Sequence, residues 1–301
     1  MSWFGFDTHH ARWELRTMRL LFALVLFWGI FRPPVAAVPH PHGVAHLVDL
    51  TFLADPQVFA VLKSLLIVPL ALFVWGRWMA VSLTFITAFW IGSWTLIESQ
   101  GAIGHGSQIA GLVLLAMWLA YVVGPWLRRR EGVWARRPDL TLDDLAIYWV
   151  HQVIAAAYVV AGVSKLTATG FQLVPFLPRW LVRVQYIPVQ ITKTHEEEYY
   201  GALDPEMLER AQVLGDLFAL NPDLTRFFFS GGLVLELLAF LLLIDRRWAA
   251  GMGVALIMMH VMISLTMNLH FTMNIWVALI FLINVPYWLA QGARGRSVPS
   301  A

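Results

Sequence analysis

The chain has 301 residues, 59% hydrophobic and only 13% charged, with a mean hydropathy of +0.66. Soluble domains carry about twice that charged fraction, so the composition excludes a soluble protein and predicts an all-α integral membrane protein. Cysteine is absent, which removes thiol catalysis, disulfides and thiolate metal sites, and a net charge of +2 gives no reason to expect a nucleic-acid partner.

In chain order, "MSWFGFDTHHARWEL" places Trp3, Phe4, Phe6 and Trp13 among charges, the pattern of a short interfacial helix. It lacks the charged region, apolar core and small-residue cleavage site of a secretory signal, and is read as mature protein. A helical span needs roughly 20 apolar residues. About eight such spans are expected, the first at 17–37, broken near its end by Pro33 and Pro34, then 57–75, 78–98 and 107–127.

"LRRREGVWARRP" follows, with Arg128, Arg129, Arg130, Arg136 and Arg137. Arginine accumulates in cytoplasmic loops, so this cluster fixes that side as cytoplasmic. Further spans are expected at 142–166, 227–244, 248–269 and 272–290. With that count "GRW", "DRRW", the tail "GARGR" and the arginine-bearing N-terminus share one side, so both termini are expected in the cytoplasm. The chain reads as a single transmembrane domain, 1–301.

The opposite side receives "PHPHGVAHLVDLTFLADP", "ESQGAIGHG", "MNLHFTMN" and a long connector, most of it at 171–226. Within the connector, "FQLVPFLPRWLVRVQYIPVQ" suits the membrane surface. "DPEMLERAQVLGDLFALNPD" reads as a helix with Asp204 at the N-cap and Pro205 at the first position. A structured connector of this length is usually functional.

Polar residues gather toward that outer side. Lys165 ends the fifth span, and His151 lies 14 residues earlier, within roughly 40° of the same helix face. Ala155, Ala156, Ala157, Ala161, Gly162 and Ser164 permit close helix approach. Glu98 and Gln100 end the third span, Glu236 sits within the sixth, and His260, Ser264, Asn268 and His270 follow the seventh outward to Asn274. Ionisable groups in spans mark functional paths, so these residues are expected to line a pocket open to the outer side.

Desolvation disfavours a charged ammonium, so a lysine against apolar walls can serve as a general base. His260 and Asn268 could then steady the anion it creates. The alternatives are structural: Lys165 snorkelling outward, His151 and His260 as satisfied core histidines, Glu98 as a solvated helix end. His40, His42 and His46 lack an acidic or thiolate partner at a set spacing, and no metal is expected. Glu196, Glu197 and Glu198 read as a solvated turn.

Three segments, "YVVAGVSKL", "GGLVLELLAFLLLIDRRWAAG" and "MHVMISLTMNLHFTMNIWVALIFLINVPYWL", resemble the bacterial HTTM-domain proteins. That membrane domain is shared with vitamin K-dependent γ-glutamyl carboxylase. Lys165 falls on the lysine of an Ala-Gly-Val-x-Lys-Leu run that serves there as the base toward vitamin K hydroquinone. His260 falls on the histidine that opens the family's late His-rich span. Ser164 stands where the carboxylase has a second lysine, and the carboxylase's large lumenal substrate domain has no counterpart here.

The resemblance implies a protein of the bacterial cytoplasmic membrane. It implies carboxylase-like lyase or epoxidase chemistry, in which a lysine base activates reduced vitamin K, menaquinol or another lipid-soluble substrate to modify an exported peptide. The alternative is a non-catalytic accessory, maturation or immunity protein. Its outer connector would bind a peptide, or a separate soluble partner.

Overall fold

The computed structural model describes residues 9–30, 33–34, 43–100, 105–129, 140–168, 205–267 and 269–295. Among them every regular element is helical, as expected where lipid offers the backbone no hydrogen bonds. The α-helices are α1 (Arg12–Gly29), α2 (Pro56–Leu65), α3 (Ile67–Trp75), α4 (Met79–Glu98), α5 (His105–Arg129) and α6 (Leu142–Ala168). Then come α7 (Pro205–Leu220), α8 (Pro222–Leu237), α9 (Arg246–Met267), α10 (Thr272–Val277) and α11 (Val285–Gly295).

Among the described residues six stretches have the length and hydropathy to cross a membrane: Pro56–Trp75, Met79–Glu98, Gly106–Arg129, Leu142–Leu166, Arg246–Thr266 and Thr272–Gln291. The protein is thus an integral, multi-pass membrane protein. These stretches coincide with the second, third, fourth, fifth, seventh and eighth expected spans. At the other two positions α1 carries Arg12, Glu14, Arg16 and Arg19 in 18 residues, and the apolar stretch Ser230–Leu243 is shorter. The connector's helix begins at Pro205, as its sequence suggests, whereas residues 169–204 lie outside the described ones.

Irregularities in the helices have local causes. Pro69 cannot donate to the Leu65 carbonyl and its ring crowds that turn, so the second span divides at Leu66 into α2 and α3. Asp55 caps α2 by accepting from Gln57 and Val58 N–H at 2.8 and 2.9 Å. Lys63 turns its Nζ onto the Ile30 carbonyl at 2.6 Å, placing a cation at the negative end of α1. α8 tightens into a 3-10 segment, Leu238–Leu243. α10 widens into a π segment, Ala278–Ile283, that closes at Asn284 in a left-handed conformation (φ 52).

α6 packs against α5 on one side and against α8 with its 3-10 extension on the other. Phe22 of α1, fully buried, meets Phe281 of the π segment edge-on with centroids 5.1 Å apart. Phe73, Leu83, Leu114 and Leu256 are likewise inaccessible.

A buried polar network closes the arginine-rich end. Glu14 accepts from Arg246 Nη1 at 2.7 Å, from Asn284 Nδ2 at 2.5 Å and from the Ala11 N–H at 3.2 Å. Arg246 also lies 4.2 Å from the Tyr287 ring centroid, a cation–π arrangement. Arg19 pairs with Asp143 at 2.6 Å and donates to the Tyr121 hydroxyl, which itself bonds Asp143. Gly76, at φ 72, leaves room for this guanidinium, since a Cβ there would lie 2.5 Å from Arg19 Nη1. Thr141 and Asp144 exchange hydrogen bonds across the first turn of α6, a capping-box pattern.

Removing one partner from a buried ion pair strands the other. Glu14→Ala is expected to lower stability by about 3–5 kcal/mol, read from chemical unfolding in detergent. Arg16→Ala, on the exposed side of the same helix, is expected to change it by less than about 0.5 kcal/mol.

Candidate functional site

The site is built on α6 from its small residues. A Cβ placed on Gly162 would lie 3.0 Å from Leu237 Cδ2 and 3.3 Å from Glu236 Cβ, so the absence of a side chain sets how closely α8 crosses α6. Lys165 lies three residues further along. Helical side chains lean toward the N-terminus, which carries the Lys165 ammonium back over Gly162 to the Glu236 carboxylate. Nζ stands 2.5 Å from Oε1 and 2.7 Å from Oε2.

Lys165 is therefore paired across the contact between α6 and α8. Its side chain is 51% exposed while that of Glu236 is 7% exposed, so the acid is the buried member of the pair. Glu236 occupies the last turn of α8, immediately before the change to 3-10 geometry. Such mid-helix transitions often mark hinges.

Seven residues before Lys165, on the same face, Tyr158 joins two further elements. Its hydroxyl is 2.7 Å from His260 Nε2 on α9 and accepts from Asn274 Nδ2 on α10 at 3.2 Å. In the arrangement in which the phenol donates to His260 Nε2 while accepting from Asn274, the imidazole proton lies on Nδ1. Phe271 covers the imidazole with ring centroids 4.8 Å apart. Among the described residues neither His260 Nδ1 nor Asn274 Oδ1, both buried, has a hydrogen-bond partner. An unsatisfied buried polar atom costs about 1–3 kcal/mol, and a donor and an acceptor held bare on one network are what a hydroxyl-bearing ligand could complete.

Of the residues expected from the sequence, Lys165 meets Glu236, and His260 meets Asn274 through Tyr158. Tyr158 itself was not expected. The available signal was its seven-residue spacing from both His151 and Lys165. His151 belongs elsewhere, bonding the Phe281 carbonyl in the π segment at 2.8 Å. Glu98 accepts from Ser107 at 3.2 Å, tying the end of α4 to the start of α5. His270 is exposed, and its carbonyl lies 3.0 Å from where a Gly106 Cβ would stand. Asn268 lies outside the described residues, as do His40, His42 and Glu196 to Glu198.

Among the described residues no three His, Asp or Glu side chains come together to hold a metal ion. No protein-family model, no curated protein and no solved structure matches this chain.

Lys165→Met leaves the Glu236 carboxylate buried without its ammonium, whereas Lys165→Met with Glu236→Met removes both charges. The single variant is expected to melt below the double variant in detergent. The opposite order would show that the pair does not restrain α8 against α6.

Proposed function

We propose that this chain is an integral membrane enzyme of the HTTM type, in which Lys165 and Glu236 move the proton of a lipid-soluble hydroxyl substrate. One observation carries the reading: a bidentate Lys165–Glu236 pair on the same α6 face as the Tyr158–His260–Asn274 network. Base chemistry at Lys165 begins with transfer of an Nζ proton to the buried Glu236 carboxylate. The freed amine can then accept a proton at Nζ, and the carboxylic acid can return its own as a general acid.

A quinol such as reduced vitamin K or menaquinol fits the unpartnered atoms, since a hydroxyl can accept from His260 Nδ1–H and donate to Asn274 Oδ1. When bound it would supply an acidic hydroxyl and reducing electrons. His260 and Asn274 would hold the oxygen and stabilise negative charge on it. Tyr158 would fix the histidine tautomer.

In this reading α1 and the α8 region complete eight crossings, the arginine-rich end and both termini face the bacterial cytoplasm, and the 171–226 connector meets an exported peptide on the far side. Sequence resemblance to HTTM proteins supports that arrangement.

The test is binding of reduced menaquinone to detergent-purified protein, followed by the quinol's absorbance across pH. Wild type is expected to bind and to show deprotonation, and Lys165→Met to bind without it. Wild type that fails to bind would sink the enzymatic reading and favour a non-catalytic peptide-binding partner acting through the connector.

A further inference from the structure

Four titratable side chains recur at seven-residue intervals along α6: Asp144, His151, Tyr158 and Lys165. Seven residues rotate a helix by about 700°, so each stands roughly 20° behind the one before, and the row drifts only about 60° over its length. At 1.5 Å per residue it is about 31 Å long, close to the roughly 30 Å thickness of a hydrocarbon core. The row reaches from one end of the bundle to the other.

Each member is met by polar atoms from another part of the chain. Asp144 accepts from the His10 N–H at 3.1 Å and lies 3.2 Å from His10 Nδ1. His151 bonds the Phe281 carbonyl, Tyr158 joins His260 and Asn274, and Lys165 joins Glu236. Carboxylate, imidazole, phenol and amine can each take up and release a proton. The interval between His151 and Tyr158 is dry, carrying Ile154 and Ala155 at 1% and 3% exposure.

We infer that α6 is a proton path through the membrane, joining the Lys165–Glu236 pair to the arginine-rich end through Tyr158, His151 and Asp144. A proton leaving the pair bonds to the Tyr158–His260 unit as that unit releases one toward His151. The imidazole then releases one toward Asp144 and His10. One N–H or O–H bond forms for each that breaks, so one proton crosses and no residue is changed. The Ile154–Ala155 interval sets the rate, because a proton crosses it only with a transient water or a side-chain rotation. A row that merely joined helices would need hydrogen bonds at these positions but no exchange of protons between them.

The full chain is reconstituted into phosphatidylcholine and phosphatidylglycerol vesicles that enclose pyranine, and valinomycin sets an inside-negative potassium potential. Wild-type vesicles are expected to acidify faster than protein-free ones. His151→Gln keeps a donor for the Phe281 carbonyl but cannot relay a proton, and is expected to fall to the protein-free rate with an unchanged melting temperature. Ala155→Ser, which puts a hydroxyl into the dry interval, is expected to raise the rate several-fold with an unchanged melting temperature, which separates it from a leak through a loosened bundle. Wild type no faster than empty vesicles, or His151→Gln as fast as wild type, overturns the proposal. Because quinol binding is read in detergent, either proposal can fail while the other stands.

Discussion

Hydrocarbon offers no hydrogen bonds, so a polar atom this chain carries into the bundle is costly unless another part of the chain meets it. That constraint explains why the polar contacts join different elements. Lys63 ends on the α1 carbonyl Ile30, His151 on the Phe281 carbonyl, Lys165 on Glu236 and Arg19 on Asp143. Two of these acceptors are backbone carbonyls beside a helix end or inside a π turn, where the regular intrahelical ladder is interrupted.

The network at the arginine-rich end follows the same logic at higher charge density. α1 brings Glu14 and Arg19 into the interior, and each is met by the opposite charge from a distant element, Arg246 and Asp143. A buried pair adds little net stability over apolar packing, but loss of one member is costly. Such pairs therefore favour one register of α1 over its neighbours, since a shift by one residue would strand both charges. The short side chains nearby serve that placement, with Gly76 accommodating the Arg19 guanidinium.

At the other end the same economy leaves two atoms unsatisfied, His260 Nδ1 and Asn274 Oδ1. Around them the helices depart from α geometry, with 3-10 turns after Glu236 and π turns after Val277. Asn284 Oδ1 is bare in the network opposite as well, but among the described residues only here do a bare imidazole nitrogen and a bare amide oxygen share one hydroxyl between them, Tyr158.

Much of the architecture was legible without coordinates, because crossing a membrane demands a local property, an apolar run of sufficient length. Among the described residues six runs have that length, and Pro205 could be read as a helix start, whereas the break at Pro69 was not foreseen. Lys165, Glu236, His260 and Asn274 could be picked out as polar residues in apolar surroundings, for the same local reason. Their pairing could not, because Lys165 and Glu236 are 71 residues apart and meet only through the angle at which α8 crosses Gly162. Tyr158 escaped notice since a tyrosine in a span reads as ordinary packing until His260 and Asn274 are seen at its hydroxyl. His151 shares a helix face with Lys165, as its spacing requires, yet it bonds a backbone carbonyl that no side-chain pattern reveals. Composition and periodicity determined which segments are helices and which residues are costly in lipid. The tertiary structure decided which of those costs cancel against one another, because that depends on the faces that helix crossings bring together.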